Sequence, residues 1–152
     1  MIHLKEGDKA PEINAVDHQG NVFVLSAHQG KKVILYFYPK DDTPGCTAEA
    51  CNLRDNYQAL VDKGFDVVGV SPDPAESHQK FITKYELPFT LIPDPDKTIL
   101  QDYGVWGEKN RFGKKSMGVN RTTFVIDENG FIEKIFEKVD TKDHTNQILN
   151  AY

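Results

Sequence analysis

Two cysteines lie five residues apart in the stretch Pro39-Lys-Asp-Asp-Thr43-Pro-Gly-Cys46-Thr-Ala-Glu-Ala-Cys51, and the chain holds no other thiol. A thiol is a strong nucleophile only as the thiolate. Cys46 stands where an anion is favoured. With Thr43 as helix N-cap and Pro44 at the first helical position, the sulfur falls in the first turn. There the unpaired backbone N–H groups and the positive end of the helix dipole stabilise negative charge. Positions of this kind bring a thiol pKa down from about 8.5 toward neutrality. Gly45 adds a bare backbone to the approach.

The spacing of the pair carries its own message. The pattern predicts one helix over Thr43–Lys63, closed by Gly64. At about 100° per residue, Cys46, Ala50, Leu53, Tyr57 and Leu60 form one apolar stripe that must face the interior. Cys51 falls with Asp55, Gln58 and Asp62 on the polar side, roughly 140° away. Helix positions i and i+5 are about 8–9 Å apart between α-carbons, whereas a disulfide needs less than about 7 Å and converging β-carbons. The pair is therefore either two unrelated thiols or the two ends of a redox-coupled local unfolding.

Blander readings exist for both. A cysteine on an apolar helix stripe is commonly a small buried hydrophobe, and a thiol on a polar face is commonly incidental. A zinc site is not expected, because the histidines at 3, 18, 28, 78 and 144 are scattered and no Cys-x-x-Cys occurs. The stretch Gly107-Glu-Lys-Asn-Arg-Phe-Gly113-Lys-Lys has one residue too many for a phosphate loop and no Ser or Thr after the lysine. No cofactor motif is present.

The elements that must position these residues alternate along the chain. Val22–Leu25 reads as the second arm of a hairpin begun near Ile13–Asp17. Val33–Tyr38, Phe65–Ser71 and Thr122–Asp127 are continuous apolar runs, the mark of strands covered on both faces. Phe131–Phe136 follows the Glu128-Asn129-Gly130 turn and pairs with Thr122–Asp127 as an antiparallel hairpin. Helices are expected over Pro74–Tyr85, Asp96–Tyr103 and Thr141–Tyr152. The alternation predicts an α/β fold around a mixed sheet.

Bulk composition narrows the rest. The 152 residues fit one domain, 1–152, with no linker or repeat. A net charge of −5 argues against nucleic acid or an anionic membrane as partner. The start of the chain does not read as a signal peptide, and no apolar stretch approaches the ~18 residues of a membrane span. The expected address is cytoplasmic. In a reducing cytosol a structural disulfide is rare, so a cysteine pair needs another account.

Pro39-Lys-Asp-Asp-Thr43-Pro-Gly-Cys46 matches the peroxiredoxin active-site pattern Pro-x-x-x-Thr/Ser-x-x-Cys. The continuation Thr47-Ala-Glu-Ala-Cys51-Asn-Leu-Arg-Asp55 resembles the peroxiredoxin Q branch, also called bacterioferritin comigratory proteins. Further similar segments are Gly7-Asp-Lys-Ala-Pro11, Gly69-Val-Ser-Pro-Asp73, Gly104-Val-Trp-Gly107 and Arg121-Thr-Thr-Phe-Val-Ile-Asp127, in the same order.

That resemblance implies a thioredoxin-like fold with an N-terminal β-hairpin and an insertion before the last strands. It implies Cys46 as the peroxidatic cysteine, Cys51 as the resolving one, and Arg121 as the arginine aimed at the thiolate. Thr43 would orient the peroxide, and Pro39 would shield the sulfur. The substrates implied are hydrogen peroxide and alkyl hydroperoxides. A thioredoxin is the implied reductant, with glutaredoxin accepted by some relatives, and the expected state is a monomer without cofactor or metal. The rival enzyme reading is a thiol–disulfide oxidoreductase acting on proteins. The rival from another class is a non-enzymatic redox sensor or chaperone. The acidic pair Asp41-Asp42 raises a further expectation: if turned toward Cys46, like charge would oppose thiolate formation.

Overall fold

The computed structural model describes residues 3–28, 30–111 and 113–152. The chain opens with a two-stranded antiparallel hairpin, β1 (Asn14–Val16) and β2 (Val22–Val24), followed by a 3₁₀ turn over Leu25–His28. Then come β3 (Lys32–Phe37), α1 (Pro44–Asp55), α2 (Tyr57–Asp62), β4 (Phe65–Ser71), α3 (Ala75–Tyr85), β5 (Thr90–Pro93) and α4 (Thr98–Asp102). A second ribbon, β6 (Trp106–Arg111) and β7 (Lys114–Val119), precedes β8 (Thr122–Ile126), β9 (Ile132–Phe136) and α5 (His144–Leu149).

Five strands form the central sheet in the order β5-β4-β3-β8-β9. β3, β4 and β5 run parallel, whereas β8 is antiparallel to both β3 and β9. Both faces are covered, which is why β3 reads as an unbroken apolar run: Val33 to Phe37 are all at most 1% exposed. Val33, Leu35 and Phe37 pack with Ile13 and Phe23 of the hairpin region and with Ile99 and Leu100 of α4. Ile34 and Tyr36 face the other way, onto Cys46, Ala50 and Leu53 of α1, Leu60 of α2, Phe81 of α3 and Ile148 of α5. The apolar stripe expected from the helix projection is this buried face, with Tyr57 half-buried.

Gly69 in β4 is dictated by that packing. A β-carbon there would come within 2.7 Å of Leu91 and 2.8 Å of the Tyr36 ring.

Three expectations need correction. The long helix is two: Asn56, at φ −111° and ψ 10°, separates α1 from α2, and its side-chain amide donates to the Asn52 carbonyl at 2.8 Å. Such local side-chain bonding competes with the helix ladder. The last helix spans only His144–Leu149. Strand β5 and the β6–β7 ribbon had no signal as strands, the ribbon because its sequence is mostly polar and lacks alternation.

Candidate active site

The site begins where β3 ends. Tyr38 is buried, and the chain then turns through Pro39–Thr43 into α1. This turn is fastened to α3 and to the end of β4. The Asp41 carboxylate accepts from Tyr38 Oη at 2.5 Å and Ser77 Oγ at 2.7 Å, and lies 2.7 Å from His78 Nδ1. Burial works against its ionisation, yet the bonds from His78, Tyr38 and Ser77 outweigh it and hold the carboxyl below its ordinary pKa. The Asp41 backbone N–H donates to Asp73 Oδ2 at 2.6 Å. Asp42 adopts φ +58°, in the left-handed region, and takes Lys84 Nζ and Tyr85 Oη, each at 2.7 Å.

Both carboxylates thus point onto α3, and the expected like-charge pressure on Cys46 does not take the form of a direct contact. Asp41, Asp73 and His78 do bring one potential metal-ligand atom each within 4.8 Å of the others. Asp41 and His78 are joined to each other by the 2.7 Å hydrogen bond and Asp73 takes the Asp41 N–H, so the three act as a clasp for the turn.

Thr43 occupies the N-cap position with extended backbone, and Pro44 starts the helix. The cap bond itself is absent: Thr43 Oγ1 donates backward to the Lys40 carbonyl at 3.0 Å. That commits the hydroxyl hydrogen and leaves the oxygen lone pairs as acceptors. Pro39, Lys40, Thr43, Asn120 and Arg121 form one wall of an open groove, and Glu108, Lys109 and Ser116 of the β6–β7 ribbon form the other.

Cys46 lies in the first turn of α1 and is 1% exposed. Arg121, in the residue before β8, sends Nη2 to the Cys46 sulfur at 3.2 Å and Nη1 to Glu49 Oε1 at 2.7 Å. A β-carbon at residue 45 would stand 3.3 Å from Arg121 Nη2, so Gly45 is what lets the guanidinium reach over the helix start. Pro39, Thr43, Cys46 and Arg121 therefore come together from three places in the chain.

Cys51 does not join them. It sits half-buried further along the intact α1, and both thiols are free. Burial pushes its pKa up, Arg54 pulls the other way and Asp55 adds to the rise.

The sequence reading missed Glu49 and His144, both fully buried. Burial pushes Glu49 up to about 7 against the pull of Arg121. Burial likewise lowers His144 to about 4, with Gln147 and Asp140 opposing and Arg121 assisting. Glu49 had a signal: it falls three residues after Cys46 and four before Leu53, on the inward stripe, where a charged residue needs a partner. His144 had none.

The chain is similar to known proteins along nearly its whole length. Residues 6–135 match the model of the AhpC/TSA family. The chain is 44% identical over 150 residues to Peroxiredoxin Bcp of Escherichia coli, covering 99% of this chain and 96% of that one. It is 43% identical over 148 residues to Peroxiredoxin Bcp of Bacillus subtilis, covering 97% and 94%. Among solved structures, the Xanthomonas campestris bacterioferritin comigratory protein, described for its alkyl peroxide reduction activity, superposes with a TM-score of 0.88 at 30% identity. That match covers 97% of this chain and 96% of the other. The mixed sheet, its helices and the N-terminal hairpin are accordingly the thioredoxin-like fold.

Proposed function

Because the chain belongs to the AhpC/TSA family, in its Bcp or peroxiredoxin Q branch, we propose that it is a peroxidase whose reacting atom is the Cys46 sulfur. It reduces peroxides, alkyl peroxides among them. The observation that carries the assignment of the sulfur is the 3.2 Å contact from Arg121 Nη2, made in the first turn of a helix.

The thiolate attacks one peroxide oxygen: an S–O bond forms, the O–O bond breaks, and the sulfur is oxidised by two electrons. The departing oxygen carries the developing negative charge and leaves as alcohol or water once protonated. Arg121 and the free N–H groups of the α1 start stabilise that charge in a site largely closed to water. Thr43, with its own hydrogen committed to Lys40, accepts a hydrogen bond from the peroxide, and Pro39 limits water at the sulfur. The product is Cys46 sulfenic acid.

Cys51 then resolves it. Its thiolate attacks the sulfenic sulfur: an S–S bond forms, the S–O bond breaks, and hydroxide leaves and is protonated to water. The intact α1 holds the thiols apart, so this step requires its first turns to unwind. A dithiol protein of the thioredoxin type, or a glutaredoxin, reopens the disulfide by exchange. Both cysteines belong to one chain, so the cycle runs in a monomer. Two free thiols and a need for thiol reductant suit the reducing cytoplasm.

The test is peroxide consumption with thioredoxin, its reductase and NADPH. Cys46→Ser loses turnover, whereas Cys51→Ser forms one sulfenic acid per chain and recycles poorly. Normal turnover by Cys46→Ser would overturn the assignment.

A further inference from the structure

Beneath the sulfur, the polar chain Cys46–Arg121–Glu49 continues to His144 of α5. The protonation of that histidine can be read from its neighbours. Gln147 Nε2 donates to the Lys138 carbonyl at 2.7 Å, and Gln147 Oε1 accepts the Asp140 N–H at 2.8 Å, which fixes the amide orientation. The same Oε1 lies 2.9 Å from His144 Nδ1, so Nδ1 carries the hydrogen. In the neutral ring Nε2 is then an acceptor, and Thr123 Oγ1 stands 2.8 Å from it as donor.

Glu49 Oε2 is 3.6 Å from that same Nε2, buried and without a hydrogen-bond partner among the described residues. With the Nε2 lone pair filled by Thr123, an ionised Glu49 would hold a charged oxygen with no donor in a dry interior, a costly arrangement. One additional proton on the pair lowers that cost: on Oε2 it neutralises the carboxyl, and on Nε2 it sets a cation beside the carboxylate while the Thr123 hydroxyl turns from donor to acceptor. We propose that Glu49 and His144 form a buried pair sharing one proton, and that this proton decides how far Arg121 is given over to the Cys46 sulfur.

His144 touches neither the sulfur nor the groove. It is a positioning residue, acting through Glu49 and Arg121, and the inference rests on Cys46 being the peroxidatic thiolate. With the proton in place, the guanidinium has a single anion to serve. Without it, a carboxylate and a thiolate compete for one cation. Because burial raises Glu49 and lowers His144, the proton resides on the carboxyl and is released near neutrality.

The other groups facing the pair are few. From β3, the buried Tyr36 hydroxyl stays protonated, its pKa raised by burial and by the charge of Glu49. From β8 come Thr123 and, just before that strand, Arg121; from β9 comes the Phe136 ring, edge-on to His144 at 6.1 Å. Asp140 acts on His144 from the segment before α5.

The experiment follows thiolate absorbance in the ultraviolet against pH, in a Cys51→Ser background where Cys46 is the sole thiol. The parent is expected to titrate over a wider pH range than one proton allows, since two acids share one cation. Glu49→Gln narrows the curve to a single proton. His144→Leu removes one of the two sites at which the pair can hold its proton, so the proton is lost at lower pH and the thiolate midpoint rises, leaving about tenfold less thiolate at a given pH. Adding Glu49→Gln to His144→Leu brings the midpoint back down.

A double variant no better than His144→Leu, or a one-proton curve in the parent, overturns the pair. Should circular dichroism show His144→Leu unfolded, parent and Glu49→Gln decide alone, and identical curves overturn it. No peroxide enters the titration. A broad curve in a protein without peroxidase activity would sink the peroxidase reading alone, and a one-proton curve in an active enzyme would sink the pair alone.

Discussion

Asn52 ties the helix that carries both cysteines to the C-terminal helix: its Oδ1 accepts the Thr145 backbone N–H at 2.8 Å. Its amide also donates to the Lys142 carbonyl at 3.3 Å, and Thr145 Oγ1 returns a bond to the Asn52 carbonyl at 3.4 Å. The residue beside Cys51 thus helps to pin α1 against α5. Any unwinding of α1 that reaches Cys51 strains this link.

Asn52→Ala should therefore accelerate resolution. We expect the Cys46–Cys51 disulfide to form faster after one equivalent of peroxide, measured by quenched-flow alkylation of free thiols. The same change should lower unfolding free energy by about 1–2 kcal/mol, because the Thr145 N–H loses its partner. Slower disulfide formation would show that the link guides the approach of Cys51 rather than restraining it.

Gly45→Ala should act on Arg121 without disturbing the fold. The added carbon would stand 3.3 Å from Nη2, so the guanidinium must shift by a few tenths of an ångström relative to the sulfur. Losing one such donor at an oxyanion-type site costs on the order of a hundredfold. A displaced donor loses part of that, and we expect a fall of up to about tenfold in the rate of sulfenic acid formation under stopped flow. Thermal unfolding should move little.

Stability against pH carries opposing contributions from the two buried groups under the sulfur. Glu49 has a folded value of about 7, raised above its ordinary 4.5, so the folded state holds the extra proton between those values. Its contribution falls as pH rises through that window. His144 is lowered from 6.5 to about 4, so the unfolded state binds the proton there and stability rises with pH. The two nearly cancel between about 4.5 and 6.5. Glu49→Gln should expose the upward slope of His144, and His144→Leu the downward slope of Glu49, each up to about 1.4 kcal/mol per pH unit. Urea unfolding across that range checks both signs.

Asp41 behaves in the opposite sense to Glu49. Its folded pKa lies below the ordinary 3.8, so its stabilisation is present above that value and is lost as pH falls through the folded one. Asp41→Asn should cost about 1–3 kcal/mol near neutrality, since His78, Tyr38 and Ser77 lose a charged acceptor. Its unfolding should also depend less on pH in acid. Peroxidase activity should fall with it, because the Pro39–Thr43 turn loses its main anchor.

Much of this site was legible before any coordinates. Thr43, Pro44 and Gly45 announce a helix start, and the inward stripe through Cys46, Ala50 and Leu53 places the sulfur against the sheet. Arg121 was legible only through the family pattern, since a residue entering a strand gives no periodic clue to its target. His144 depended on the fold bringing α5 against α1, a contact across some ninety residues like that of Asn52 with Thr145. The break at Asn56 was invisible because the apolar stripe continues across it. The β6–β7 ribbon escaped because only its ends, Trp106 and Val119, meet the core, which leaves no hydrophobic rhythm between them.

The fastening of Asp41 and Asp42 to α3 bears on how the enzyme regains its shape. Starting a helix from coil is the unfavourable step, because several residues must be fixed for the first hydrogen bond. Here the turn before α1 has anchors outside α1, on Tyr38, Ser77, His78, Lys84 and Tyr85. When the start of α1 unravels to let the two sulfurs meet, those anchors need not release. On reduction the strand of chain at residue 44 is still held at its entry point, while Leu53 remains packed beyond the frayed turns. Rewinding is then zippering between two fixed ends, and the cost of nucleation is met once, when the protein first folds.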